Sequence, residues 1–316
     1  MNNINFNLEK KLKPSKITVI GKMKRSWQLY LLILPTFVYF IVFKYIPMYG
    51  ILMAFKDFMP SKGIIGSPWV GFKHFNRFFN SFQFVTLIKN TVSLSVIQMV
   101  VTFPIPIIIA LMLNQLTREK VKKFIQTVIY APYFISTVVL VGMMQIFLSP
   151  SSGFINKIIQ ALGGEAVYFF SSPEWFQPLY VLSSIWQGTG WATVIYMAAL
   201  AGVDPQLHEA AIVDGASKLR RIFTVDVPAI MPVIIIQLVL SIGNVMNVGF
   251  EKAFLMQTSL NLDTSEIIPT YIYKIGLQQS QYSFSTAVGL FNAVINLVLL
   301  ISVNQIVKKF SETSLW

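Results

Sequence analysis

Apolar and polar positions in this chain do not alternate; they segregate into long apolar blocks separated by short polar stretches. No Asp, Glu, Lys or Arg occurs in 27–43, 90–117, 124–156, 175–203, 227–250 or 275–307. A helix needs about 20 mostly apolar residues to cross the hydrocarbon core of a bilayer, so each block holds one crossing and none holds two with a turn between. The pattern predicts six spans, near 29–48, 87–113, 125–148, 178–201, 229–250 and 285–306. The expected fold is an all-α integral membrane protein with six transmembrane helices.

Composition agrees: 54% of the 316 residues are hydrophobic, 12% are charged and the mean hydropathy is +0.62, whereas a soluble domain carries about 25% charge. The net charge of +12 brings nucleic acid to mind, but the basic residues follow topology. With the N-terminus inside, sixteen of the 25 Lys and Arg fall on the inner segments 1–28, 114–124, 202–228 and 307–316, and seven on the outer segments 49–86, 149–177 and 251–284. Excess Lys and Arg marks the cytoplasmic side, so both termini and the fourth loop are expected inside, with anionic lipid headgroups as partners for the basic residues and no nucleic acid. The chain then divides into a basic cytoplasmic tail (1–28), a six-helix membrane domain (29–306) containing the inner loop 202–228, and a short cytoplasmic tail (307–316). Residues 1–28 lack a small-residue cleavage pattern after the first apolar block and read as a retained tail, not a signal peptide.

Catalytic chemistry has little to stand on. There is no cysteine, which excludes disulfides, thiolate metal sites and thiol nucleophiles. The two histidines, His74 and His208, fall on an outer and an inner loop, so the membrane separates them and no shared metal is expected. No G-x-x-x-x-G-K-[ST] phosphate loop is present. Ion-coupled transporters keep ionisable groups at membrane depth as relays, and these spans hold none away from their ends. If the protein moves a solute, the energy is expected to come from another subunit.

The fourth loop carries the most specific signal. Asp204 is placed to cap a helix with Pro205 at its first position, where a missing N–H costs nothing. Gly215 suits the left-handed residue after that helix, and Ser217 caps a second short helix that Pro228 stops or hands over to the fifth span. Leu207, Ala210 and Ala211 share a face of the first helix, flanked by Glu209 and Asp214. Small alanines let another protein's backbone approach closely, the mode in which a helix docks in a groove; the competing reading is an amphipathic connector lying on the membrane surface.

The spacing Glu209-Ala210-Ala211, Gly215, Val225-x-Val227-Pro228, extended by Asp204-Pro205 and Asp214-Gly215-Ala216-Ser217, resembles the EAA loop of permease subunits of binding-protein-dependent ABC importers, the MalF-like family. Val225 and Val227 depart conservatively from that family's Ile-x-Leu-Pro. Further stretches, among them Tyr45-Ile-Pro-Met-Tyr-Gly, Ser67-Pro-Trp-Val-Gly-Phe, the run from Tyr282 to Asn292 and the terminal Ser314-Leu-Trp, are similar to LplB-type carbohydrate permeases. The resemblance covers nearly everything from Trp27 onward. It implies a non-catalytic permease subunit in the bacterial cytoplasmic membrane that forms half of an oligosaccharide path. It further implies a homologous second permease, an extracytoplasmic solute-binding protein and two cytoplasmic ATPase subunits that bind the ATP and Mg; this chain would bind no cofactor. Glu209, Ala210, Ala211, Asp214 and Gly215 are the implied ATPase-coupling positions, with Lys218, Arg220 and Arg221 left to acidic ATPase residues or inner-leaflet lipid.

A sugar offers hydroxyls to amides and apolar ring faces to indoles. Candidate path residues are Trp186, Gln187, Trp191, Asn244, Asn247, Asn292 and Asn296, with Gln98 and Gln145 beside them; the alternative for each is a bond between helices or a place in the interfacial aromatic belt. The rival readings for the whole protein are a self-contained secondary transporter or channel, and a membrane scaffold or enzyme that uses its inner loop only to bind a partner.

Overall fold

The computed structural model describes residues 26–246 and 249–310. Most of the basic tail, the last six residues and candidate Asn247 lie outside the described residues. Among those described, the regular elements are helices, and the only strand-like contacts are isolated bridges between Lys56 and Trp69 and between Met59 and Gly63.

The chain forms two compact units, divided after Ile51. In the first, α1 (Trp27–Phe40) continues into a π turn (Ile41–Tyr45) and the start of a 3-10 stretch (Ile46–Phe55). Apolar on every side, α1 has no buried residue, the pattern of a helix made to sit in lipid or against another apolar surface.

The second unit contains α2 (Lys73–Phe79), α3 (Gln83–Thr102), α4 (Pro104–Asn114), α5 (Glu119–Tyr130), α6 (Thr137–Phe147), α7 (Phe154–Ala161), α8 (Pro173–Ala201), α9 (Pro205–Val213), α10 (Lys218–Arg221), α11 (Val227–Gly243), α12 (Phe250–Met256), α13 (Ile268–Tyr273) and α14 (Tyr282–Phe310). α8 packs along α4 and touches α3 and α11, while α14 packs on α11, α13 and α2. Ala110, Tyr196, Leu200 and Ile230 join α4, α8 and α11 on the loop-202–228 side. Leu94, Val141, Phe176, Tyr180 and Ile267 fill the centre of another cluster. Phe78, Leu87, Ile268, Phe284 and Val288 bring α2 and α13 onto α3 and α14.

Among the described residues, four helical runs are long and apolar enough to cross a membrane: Trp27–Phe55, Gln83–Asn114, Lys218–Gly243 and Tyr282–Lys309. α8, with 29 residues, has the length but carries Ser183, Ser184, Gln187, Thr189 and Thr193 along its middle.

Two expected spans need correction. The block 125–148 is not one straight helix: Glu119–Phe134 and Thr137–Phe147 meet at 94°. Pro132 has no N–H for a helical bond, the chain tightens into a 3-10 turn at Ala131–Phe134, and Ile135 is extended before Ser136 restarts the helix, its Oγ accepting from Val139 N at 3.3 Å. The fifth span was expected to reach residue 250, but α11 stops at Gly243 with Asn244 as its C-cap; both are weak helix formers. In the second span Pro104 cannot donate a helical hydrogen bond, and α3 hands over to α4 at Phe103 within one helical run, Gln83–Asn114.

Outside the spans, Asp57 accepts from Lys73 Nζ at 2.7 Å and stands 3.0 Å from His74 Nε2. The Lys73 hydrogen bond holds the Asp57 pKa below the ordinary carboxylate value. The short helix α7 is held by Asn156, whose amide donates to the Leu148, Ser149 and Val167 carbonyls. Of the aromatics in 57–83, Phe75 and Phe78 pack into the bundle, whereas Trp69, Phe72 and Phe79 are exposed.

Candidate functional site

Loop 202–228 is built as its sequence dictates. Asp204 caps α9 by accepting from Gln206 N at 2.9 Å, and Pro205 occupies the first helical position. Gly215 has φ +74°. After it, Ser217 caps α10 by accepting from Arg220 N at 3.3 Å. Instead of stopping at Pro228, the chain passes through a π turn (Ile222–Asp226) directly into α11.

No residue of α9 is buried. Glu209, Ala210, Asp214 and Gly215 are exposed and Ala211 is half-buried, so the loop offers them to a partner without disturbing the bundle. Leu207, Ile212, Val213, Leu219 and Phe223 are exposed as well; the apolar surface is broader than the single face of α9 read from the sequence. A β-carbon at residue 215 would meet no atom within 4 Å, so substitution there is penalised by backbone conformation alone. Gly215→Ala is expected to destabilise the bend by about 1 kcal/mol, and Gly215→Asn by less because Asn tolerates the left-handed region. Thermal unfolding of the purified subunit checks that ranking.

On the inner side of the loop, sequence reasoning missed a cluster. Asp226 is fully buried. Its Oδ2 accepts from Gln115 Nε2 at 3.0 Å and its Oδ1 from Asn114 Nδ2 at 3.3 Å, with His208 Nε2 3.2 Å from Oδ1. The only sequence hint is an acid at the edge of an apolar block; its partners in α4 lie more than a hundred residues away.

A cavity of about 700 Å³ opens between α3, α4, α8 and α11. Its polar lining is Ser95, Gln98 and Thr102 from α3, Gln237 and Ser241 from α11, and Asn244 after it; Trp191 and Tyr196 supply aromatic surface from α8. Among the described residues, no Asp, Glu, Lys or Arg lines it. Neither the Gln98 nor the Gln237 side-chain amide has a hydrogen-bond partner among the described residues, so both are available to a ligand. Trp191 stacks on Tyr133 with centroids 4.8 Å apart at 10°, which fixes the indole plane. Hydroxyl, amide and aromatic groups without charge suit a polyhydroxylated molecule.

Of the sequence candidates, Gln98, Trp191 and Asn244 meet at this cavity. Gln145 lines a separate cavity of about 210 Å³ with Tyr168 and Thr258. Trp186 is exposed elsewhere on α8. Gln187 donates to the Ile135 carbonyl at 2.8 Å, and Asn296 accepts from Met246 N at 3.0 Å; both join elements of the bundle. Asn292 is buried in α14 away from the cavity. Ser95, Thr102, Gln237 and Ser241 were not among the candidates, although their spacing of seven and four residues puts each pair on one helix face.

The comparisons with known proteins fit this geometry. Residues 88–312 match the family model described as binding-protein-dependent transport system inner membrane component. The chain is 45% identical over 304 residues to the polygalacturonan/rhamnogalacturonan transport system permease protein YteP of Bacillus subtilis (strain 168), covering 96% of this chain and 95% of that protein. To protein LplB of the same organism it is 44% identical over 300 residues, covering 95% and 94%. In structure it is similar, with a TM-score of 0.86 and 39% identity over 94% of this chain and 99% of the other, to a chain in the crystal structure of a bacterial alginate ABC transporter in complex with an alginate pentasaccharide-bound periplasmic protein.

Proposed function

Because the chain belongs to the family of binding-protein-dependent transport system inner membrane components, we propose that it forms half of the translocation path of an ATP-driven oligosaccharide importer and couples it to the ATPase through loop 202–228. It is a membrane permease subunit for carbohydrate transport and not itself an enzyme. In this reading six segments cross the membrane, α5 with α6 and α8 supplying the third and fourth, and both termini are cytoplasmic. The tails 1–28 and 307–316 flank the permease domain 29–306.

The partners are a homologous second permease, two cytoplasmic ATPase subunits that hold ATP and Mg, and an extracytoplasmic solute-binding protein. α9 docks in a groove of the ATPase. Glu209 offers its carboxylate to a basic or N–H partner, Ala210 and Ala211 permit close approach, and Asp214 and Gly215 form the bend. Closure of the ATPase pair then moves the membrane helices between inward-facing and outward-facing arrangements.

The observation that carries the substrate side is the uncharged cavity. Its free amides and the clamped Trp191 ring suit sugar hydroxyls and ring faces, and the same chain presents the docking loop. YteP is named for polygalacturonan and rhamnogalacturonan transport and the structural relative for alginate, so oligosaccharides derived from acidic polysaccharides are the first probes to use. A neutral arabinooligosaccharide serves as the comparison.

Uptake of these labelled probes is measured in proteoliposomes holding the whole complex, with and without internal ATP. Gln98→Ala and Trp191→Ala are expected to lower uptake at limiting substrate by roughly five- to tenfold, the loss of one hydrogen bond or one ring contact of about 1 kcal/mol. ATPase association should stay intact. Unchanged uptake in both variants would move the sugar path away from this cavity.

A further inference from the structure

The docking helix faces two ways. Glu209 and Ala210 point outward, while the neighbouring His208 is half-buried and reaches Asp226. Asp226 is the last residue of the π turn that leads into α11, and the same carboxylate accepts hydrogen bonds from Asn114 and Gln115 at the end of α4. One buried group therefore holds together the docking helix, the end of α4 and the start of α11.

α4 and α11 both wall the cavity, through Pro106 on one and Gln237 and Ser241 on the other. A displacement of α9 that moves Asp226 thus acts on two cavity walls at once. Packing alone would not require an acid here. A buried carboxylate is retained only when its acceptor positions are filled, and directional hydrogen bonds define discrete arrangements where apolar contacts permit sliding. π turns recur inside helices at functional sites, and this one occupies the joint between loop and span.

We propose that Asp226, linked to His208, is a positioning residue that passes movement of the docking loop jointly to α4 and α11. The role rests on the importer reading above. Asp226 is not part of the cavity lining; it acts through the helices it joins. His208 connects the docking helix to this carboxylate, and Asn114 and Gln115 connect the carboxylate to α4.

The test uses the complete importer in proteoliposomes with His208→Ala, His208→Gln and Asp226→Asn, measuring ATPase co-purification, ATP hydrolysis and oligosaccharide uptake on the same preparations. Removing the imidazole leaves the Asn114 and Gln115 bonds in place. His208→Ala is therefore expected to keep the ATPase bound and hydrolysing while uptake per ATP falls roughly tenfold, within the range by which linking residues modulate coupling. In His208→Gln, an amide donor at the same reach should restore most of that ratio. Asp226→Asn, which removes the charge and one acceptor, should be uncoupled at least as strongly.

Unchanged uptake per ATP in His208→Ala would overturn the role, as would loss of uptake in step with loss of the bound ATPase, the mark of a merely structural contact. If Asp226→Asn fails to assemble, the two His208 variants still decide the matter, because His208 lies at the partly exposed end of the cluster. Absence of ATP-dependent uptake by the wild-type complex with every probe would remove the importer reading and this role with it. Wild-type uptake alongside an unaltered His208→Ala ratio would remove this role alone.

Discussion

Glu209→Lys is expected to abolish ATP-driven uptake while leaving insertion and folding of the subunit intact. The position is exposed on α9, no residue of that helix is buried, and Glu209 forms no ion pair among the described residues, so nothing among them depends on its charge. Lys is also a good helix former. The effect therefore falls on the partner: a carboxylate that meets a basic or N–H group would be replaced by an ammonium facing the same group. Like-charge juxtaposition at an interface costs several kcal/mol, equivalent to a loss of docking affinity of about a thousandfold. A pull-down from detergent-solubilised membranes should recover the companion permease but not the ATPase. Wild-type uptake by the variant would take the docking role away from α9.

Gly190→Val is expected to be the most damaging single change inside the bundle. At this point α8 crosses α5 so closely that a β-carbon would fall on the Ile129 carbonyl oxygen, 2.6 Å from its carbon and 2.8 Å from the Ile129 Cγ2. The obstacle is largely backbone, so no rotamer change relieves it, and the helices must separate. Small residues at helix crossings in membranes exist for such approaches. Overpacking of a closed site costs about 1–3 kcal/mol and sometimes more, and the separation would also drag Trp191 from its stack on Tyr133. Loss of the monodisperse complex, or a lowered unfolding temperature together with lost uptake, is the expected result. Gly188→Ala, two residues away where a β-carbon meets nothing within 4 Å, should behave nearly as wild type. A Gly190→Val subunit that melts and transports normally would show that the two helices are not in such contact.

The contrast between these two glycines marks where sequence reading runs out. Uncharged blocks reveal which segments are apolar, and local chemistry reveals ends: Asp204, Pro205, Gly215 and Ser217 act through neighbours two or three residues away, so their roles were legible. The rotation of each helix against the others is set by contacts remote in sequence. That is why Gln237 and Ser241, members of an apolar block, were passed over although they line the cavity. It is also why Gln187 and Asn296, which look equally suited to a sugar, turn out to bond Ile135 and Met246. The break in the third block was written in Pro132 and Ser136, but a proline in an apolar segment reads equally well as a kink, and the 94° angle is a property of the packed fold. Asp226 was hidden for a similar reason, its meaning residing in Asn114, Gln115 and His208.

The π turn before α11 also has a consequence for length. A π turn accommodates one residue more than α geometry would use over the same stretch. Deleting any one of Ile222 to Val225 would therefore let the segment close into a continuous α-helix over the same stretch, with loop 202–228 and α11 kept nearly in phase. A deletion within α11 has no such slack to consume: it turns everything before it by about 100° around the helix axis and draws it in by about 1.5 Å. The turn thus acts as a register reserve at the joint, where loss of one residue is absorbed in a way that it is not one helical turn further along.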